Sequence, residues 1–319
     1  MMKRLLVLFA AATALFAACN KKYDEYYARP DDLESPIYQI LESKGNFKHF
    51  LAAIDKAGYK NTLAAAGYWT IFAPHDSAFQ VYFAANNLSG VEAMDAAKCR
   101  AIVTYSLVYN AFNQNRLDDY QSATGWVENA AFKRRTANYT GVYDAKNTAG
   151  ADVKAIASNR NNNGAVHYVA ADNNNKYIPY FMTSFMTGKS LTATDYNYFY
   201  PTTTYTGFNV VDAVVTERDI PAENGIIHVI NKVVSALPSI DEYITSNPNY
   251  SEFKKVMDRF QVQFVTNPTV TNNYRIVTGS SAEVFTKVYA SGLAFSPNNE
   301  NFLKLADNDG QSDGDQLDR

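Results

Sequence analysis

Cysteine is almost missing from this chain: there are two in 319 residues, Cys19 and Cys99. Two thiols give one bridge at most, so stability must come from a buried core. Histidine is also scarce. His49, His75, His167 and His228 are scattered, with no metal-ligand spacing among them. No G-x-S-x-G elbow occurs. Gly188-Lys189-Ser190 ends like a phosphate loop, but Thr183 stands where the first glycine belongs. Neither sign of charge dominates. A formal net charge of −3 leaves no basic footprint for nucleic acid. The uncharged apolar run from Leu5 to Ala18 is too short to span a bilayer. Together these absences argue against an enzyme, and no cofactor, metal or nucleic-acid partner is expected.

What is present begins with a targeting segment. Met1-Met2-Lys3-Arg4 is a basic start, and residues 1–18 read as a secretory signal peptide. Phe16-Ala17-Ala18-Cys19 resembles a bacterial lipoprotein cleavage box, with Leu15 one place further out than usual. That resemblance implies acylation of Cys19, hence a membrane anchor. The alternative is an ordinary secreted protein with a free cysteine. Loss of Lys3 and Arg4 takes the formal charge from −3 to −5. Residues 19–34 read as a polar tether. Lys22, Asp24 and Glu25, split by Tyr23, resemble the surface-export tag of Bacteroidetes lipoproteins. The expected location is the bacterial cell envelope, lipid-anchored in the outer membrane.

Helical periodicity follows. Ser35-Pro36 suits a helix start, with Ser as the cap, and Ile37, Ile40 and Leu41 share one face. Phe47, Phe50, Leu51 and Ile54 form a buried stripe, and Gly58 ends that helix. A third helix over roughly 91–109 is expected to turn Met94, Ala97, Ala101, Tyr105 and Val108 inward. The pattern returns about 205 residues later. Ile240, Tyr243 and Ile244 match the first face, and Phe253, Val256, Met257 and Phe260 match the stripe. Phe295-Ser296-Pro297-Asn298-Asn299-Glu300-Asn301-Phe302 then matches Phe72-Ala73-Pro74-His75-Asp76-Ser77-Ala78-Phe79 at both Phe and at Pro. Residues 238–305 therefore read as a partial second repeat. Either the chain is a piece of a longer protein, the preferred reading, or this part packs on the first domain or is partly disordered. Residues 306–319 are an acidic tail, expected to be disordered.

Two segments carry a family resemblance. Thr70–Phe79 resembles the first signature motif of the fasciclin adhesion domains, and Asn224-Gly225-Ile226-Ile227-His228-Val229-Ile230-Asn231-Lys232-Val233 the second. The resemblance implies an α+β fold: a wedge of two β-sheets with helices packed along one edge, over residues 35–237. In the first motif, Phe72, Pro74 and Phe79 are expected to pack a strand-to-helix turn, with Asp76 capping the helix that follows. In the second, Phe208 to Val215 is expected as a strand and Glu217 to Pro221 as a connection. Asn224-Gly225 is expected as a tight turn and Ile226 to Val234 as the returning strand. His228 is expected to make a satisfied buried hydrogen bond. The family's Tyr-His pair falls here at Tyr105-Ser106, without the histidine. Residues 121–206 form a long insertion rich in Asn, Thr and Tyr, partly a surface elaboration. Ala165–Val169 and Tyr177–Met182 read as strands, Asn161–Gly164 as a turn, and Thr192–Thr206 as a loop.

The implied function is a non-catalytic fasciclin-like lipoprotein that adheres to a protein or carbohydrate surface. Asp219 and Ile220 occupy the positions of an Asp-Ile pair used by animal members of the family for integrin binding. The alternative is a glycan-binding accessory of a polysaccharide-uptake system, with Tyr196, Tyr198 and Tyr200 stacking on sugars.

Overall fold

The computed structural model describes residues 34–65, 67–122, 125–139, 141–157 and 175–290. The signal peptide, Cys19, most of the tether, the Asn161–Gly164 and Ala165–Val169 segments, the Phe295–Phe302 motif and the acidic tail lie outside these residues.

Helices open the described chain. In α1 (Ile37–Lys44), Ile37 and Leu41 are buried as the sequence pattern requires. Ser35 does not cap it. The Ile37 N–H is met by the Asn224 side chain, 2.8 Å away and 187 residues distant in sequence. In α2 (Lys48–Lys56), Phe50, Ala53 and Ile54 point inward. Gly58 terminates it at φ +74°, where a left-handed residue lets Tyr59 N–H return to the Ile54 carbonyl. A short α3 (Lys60–Leu63) leads to β1 (Trp69–Pro74), and α4 (Asp76–Ala85) lays Phe79 against Phe50 with ring centroids 6.1 Å apart.

The expected third helix is shorter and differently turned. Asp95 accepts from Lys98 N–H at 2.6 Å and so starts α5 (Ala96–Tyr105) five residues later than expected. Cys99, Ile102, Val103 and Tyr105 are buried, whereas Ala97 and Ala101 are exposed. Met94 is buried ahead of the helix, and Val108 is buried on a strand, β2 (Leu107–Tyr109).

A short α6 (Gln114–Leu117) and the hairpin of β3 (Tyr120–Ser122) and β4 (Gly125–Val127) follow. Then come β5 (Lys133–Tyr139), β6 (Tyr143–Lys146), β7 (Asp152–Ala157) and β8 (Asn175–Met182), and after them α7 (Thr183–Gly188) and α8 (Ala193–Phe199). The Thr192–Thr206 stretch is thus not all loop. Thr192 and Asp195 close a reciprocal capping box that starts α8. The strand expected from Phe208 to Val215 is broken. β9 (Phe208–Val210) ends at Val211, held at φ +53°, and β10 (Ala213–Ala222) carries the chain on through Glu217–Pro221. That stretch is a bulged strand rather than a connection: register shifts fall between Val215 and Glu217 and between Glu217 and Ile220. β11 (Gly225–Ile230) returns beside it.

The fold is α+β. Its main sheet closes on itself in the order β1-β11-β10-β9-β8-β5-β2. β1 and β11 run parallel, and the other pairs in the ring are antiparallel. The expected two sheets are joined edge to edge. One corner is a single pair, Val108↔Thr136, and the other is the short β9–β10 contact. β5 and β8 come from the insertion, so that part of it is architecture and not elaboration.

Strand alternation sorts the core into two layers. Ile71, Ala73, Ile227 and Val229 face the helices with Phe50, Ile54, Phe79 and Cys99. Phe72 and Ile230 face into the ring with Tyr105, Val108, Tyr180 and Val210.

Beyond the ring lie α9 (Ile240–Ser246), α10 (Ser251–Gln261), β12 (Val262–Thr266), α11 (Pro268–Thr278) and β13 (Val284–Tyr289). Their strands do not stand alone. β13 runs parallel to β7, and the second sheet has the order β12-β13-β7-β6. Two insertion strands and two C-terminal strands therefore share one sheet.

Candidate functional site

The second landmark segment is built around Asn224, which is fully buried. Its side-chain oxygen accepts from Ile37 N–H, and its amide donates to the carbonyls of Leu63 at 3.0 Å and Ala65 at 2.6 Å. Its own carbonyl accepts from Trp69 N–H at 3.0 Å. The Asn224 side chain thereby ties the start of α1 to the end of α3, and its backbone carbonyl holds the start of β1. Ala222 pairs with Gly225, so Glu223 and Asn224 form the hairpin turn, not Asn224 and Gly225. Gly225 is needed for a different reason: a Cβ there would meet the Trp69 carbonyl oxygen at 2.0 Å.

His228 sits opposite Phe72 in the parallel pair, fully buried. Its ring stacks on Phe72 at 5.6 Å and meets the edge of Phe208 at 5.4 Å. Nε2–H donates to the Phe112 carbonyl at 3.0 Å, and Nδ1 accepts from Asp219 N–H at 3.3 Å. Burial holds its pKa below the usual histidine value, against the weaker opposite pull of the Phe112 carbonyl and the Asp219 charge. A neutral ring with both nitrogens bonded has no lone pair left for a substrate. Phe72, Pro74 and Phe79 are buried as expected. Asp76 is not the cap of its own helix. His75 Nδ1 accepts from Ala78 N–H there, while the Asp76 carboxylate accepts from His49 N–H at 2.9 Å and caps α2.

Asp219 stands in the β10 bulge at φ +57°. Its carboxylate accepts from Gln114 N–H at 2.6 Å, at the start of α6. Ile220 packs on the helix-side core. Both side chains have structural partners. Beside them, Glu217 and Arg218 line a polar groove of about 520 Å³ together with Gln114 and Ser184.

The three tyrosines separate. Tyr196 is fully buried, with its hydroxyl donating to the Val211 carbonyl at 3.1 Å and accepting from Asn209 at 3.1 Å. Burial pushes its pKa up to about 12. Tyr196 is a core residue and cannot stack on a sugar, which corrects its expected role at the surface. Tyr200 is half-buried against it, 5.3 Å between ring centroids. Tyr198 is 82% exposed and pairs edge-on with exposed Phe199. The sequence reading overlooked Phe199. The spacing Thr192-x-x-Asp195 gave the signal, because it starts the helix that sets both rings on its outer side.

A larger feature was also overlooked. A mixed-charge cleft of about 1010 Å³ opens between β6, β13 and the α9–α10 pair. Tyr143 and Phe264 supply rings, and Lys176, Asp241, Lys254 and Lys287 supply charge. Lys287 bonds Asp241 at 2.9 Å, Lys254 reaches Asp241 and Asp258, and Lys176 bonds Glu242 at 2.6 Å. The Tyr143 hydroxyl is held protonated by burial first and by the charges of Asp241 and Glu242 next. A lone lysine inside the run Val284-Phe285-Thr286-Lys287-Val288-Tyr289 was the readable sign of this cleft.

The family model described as "Fasciclin domain" matches residues 45–171, which is less than half of the chain. That stretch includes the first landmark segment but not the second. No curated protein matches. Among solved structures, a FAS1 domain pair from the insect cell adhesion molecule fasciclin I is similar, with 15% identity and a TM-score of 0.33. The match covers 74% of this chain and 64% of that one, so this chain spans under two thirds of its length.

Proposed function

We propose that this chain is a non-catalytic, fasciclin-like binding module that adheres to a protein or carbohydrate surface of the cell envelope. One observation carries the reading. The residues of both landmarks with chemistry to offer, His228, Asn224 and Asp76, have bonds inside the fold. Recognition is then left to the outer surface, in keeping with the adhesion or binding role that fasciclin domains generally have. Acylation at Cys19 would hold the module at the outer membrane, since several acyl chains at about 0.8 kcal/mol per buried methylene make a stable anchor. The test is retention of the soluble form, with Cys19→Ser, on whole cells and extracted matrix. Saturable retention is expected. No retention at any concentration reached overturns the reading.

A second reading, a glycan-binding accessory, is favoured by the mixed-charge cleft. Paired carboxylates and ammoniums match sugar hydroxyls as acceptors and donors, and Tyr143 and Phe264 offer apolar faces. Tyr198 and Tyr200 form a second platform in this reading. Glycan-array binding lost on Tyr143→Ala supports cleft binding, and loss on Tyr198→Ala or Tyr200→Ala supports the outer platform. A blank array overturns both.

A further inference from the structure

The sequence repeat and the structure meet on one helix face. In the first copy the stripe residues Phe47, Phe50 and Ile54 are 0% exposed. Their matches in the second copy, Phe253, Val256 and Phe260 on α10, are 52%, 57% and 66% exposed. Ile240 and Tyr243 on α9 and Tyr250 in the turn before α10 are exposed as well, with the two tyrosine rings 5.8 Å apart. Met257, at the edge of the same face, is buried in a small core with Ile244, Val262 and Tyr289 and leaves the other three stripe residues outside it. Among the described residues none buries these three side chains, and large apolar side chains left exposed together on one helix face mark a contact surface.

The first copy shows what kind of segment covers such a stripe. There, Phe79 sits 6.1 Å from Phe50 and 5.6 Å from Phe83, and it is brought to α2 by the turn through Pro74. The same F-x-P-x-x-x-x-F spacing recurs as Phe295 to Phe302. The chain also leaves the described region in the right place. The Ala290 N–H donates to the Gln261 carbonyl at 2.8 Å, so residue 290 is pinned at the last turn of α10, beside Phe260. Phe302 lies twelve residues further on. At about 3.3 Å per extended residue that tether exceeds the length of α10, which at 1.5 Å per residue is roughly 16 Å. A segment tethered at this distance faces its own stripe at millimolar effective concentration, which a second copy reaches only in concentrated solution.

We propose that the segment Phe295–Phe302 of this same chain docks on the α10 stripe, with Phe302 covering Val256 and Phe260 as Phe79 covers Phe50. This is an intrachain interface beyond the surface-binding role above and independent of it. The full-length soluble chain, carrying the photo-crosslinker p-benzoylphenylalanine in place of Phe302, gives the direct test. Crosslinks from position 302 to residues 253–260, found within single chains when light and isotopically heavy chains are mixed, are the expected result. Crosslinks only between chains, crosslinks elsewhere in the chain, or none at all overturn the proposal. In parallel, Phe302→Asp in the full chain is expected to speed amide exchange in α10 about tenfold while leaving α2 unchanged. An unaltered α10 overturns it as well. Retention on cells by the same Phe302→Asp chain reports on the adhesion reading separately.

Discussion

His228 is the residue whose protonation the fold opposes. Its neutral ring is closed off between the Phe112 carbonyl and the Asp219 N–H, and desolvation depresses its pKa. In the unfolded chain it takes up a proton near pH 6.5, whereas in the folded chain it does so only at lower pH. The unfolded state therefore binds more protons in the window below 6.5. The resulting stability is full above that pH and is lost as pH falls toward the folded value, with a slope of up to about 1.4 kcal/mol per pH unit. Urea midpoints measured against pH should show this loss in the native chain but not in His228→Gln, so the gap between the two narrows below pH 6.5. A gap that stays constant down to pH 5 would contradict the assignment.

Among the elements, α1 and α2 have their first turns completed from a distance, by Asn224 and Asp76. Phe47 offers no side-chain cap to α2, and Asp76 supplies it from the first turn of α4. The Asp76 N–H in turn donates to the Asn46 carbonyl at 2.8 Å. The contact couples the two helices whose aromatic faces meet at Phe50 and Phe79. Asp76→Ala should cost about 1 kcal/mol, typical of a lost cap. Hydrogen exchange locates the loss: the first turn of α2 should exchange faster, while α4, capped by His75, keeps its protection. Faster exchange confined to α4 would mean that Asp76 serves its own helix after all.

At the scale of the whole molecule, the ring and the second sheet are separate cores joined through the insertion. Ile156 of β7 packs with Val270 and Val284 of the C-terminal part and not with the ring. A carboxylate at that position has no partner and costs several kcal/mol on burial. Ile156→Asp should therefore release residues 240–290 to limited proteolysis while the ring, monitored by tryptophan at Trp69 on β1, melts at its usual temperature. Loss of both together would show a single cooperative unit.

Spacing along the chain sets the periodic content of this protein. The α1 and α2 stripes, the β1 and β11 strands, Tyr177–Met182 in β8 and the inward Phe72, Phe79 and His228 all follow from spacing, because side-chain direction along a helix or strand is a local property. Which residues become partners is fixed in three dimensions. The Asn224 bonds to Ile37 and Leu63, the Trp69 oxygen that forbids a side chain at Gly225, the burial of Tyr196 under Val211 and the sharing of one sheet by β7 and β13 join residues far apart in sequence. Such contacts depend on how the chain closes in space, and no spacing along it encodes that closure.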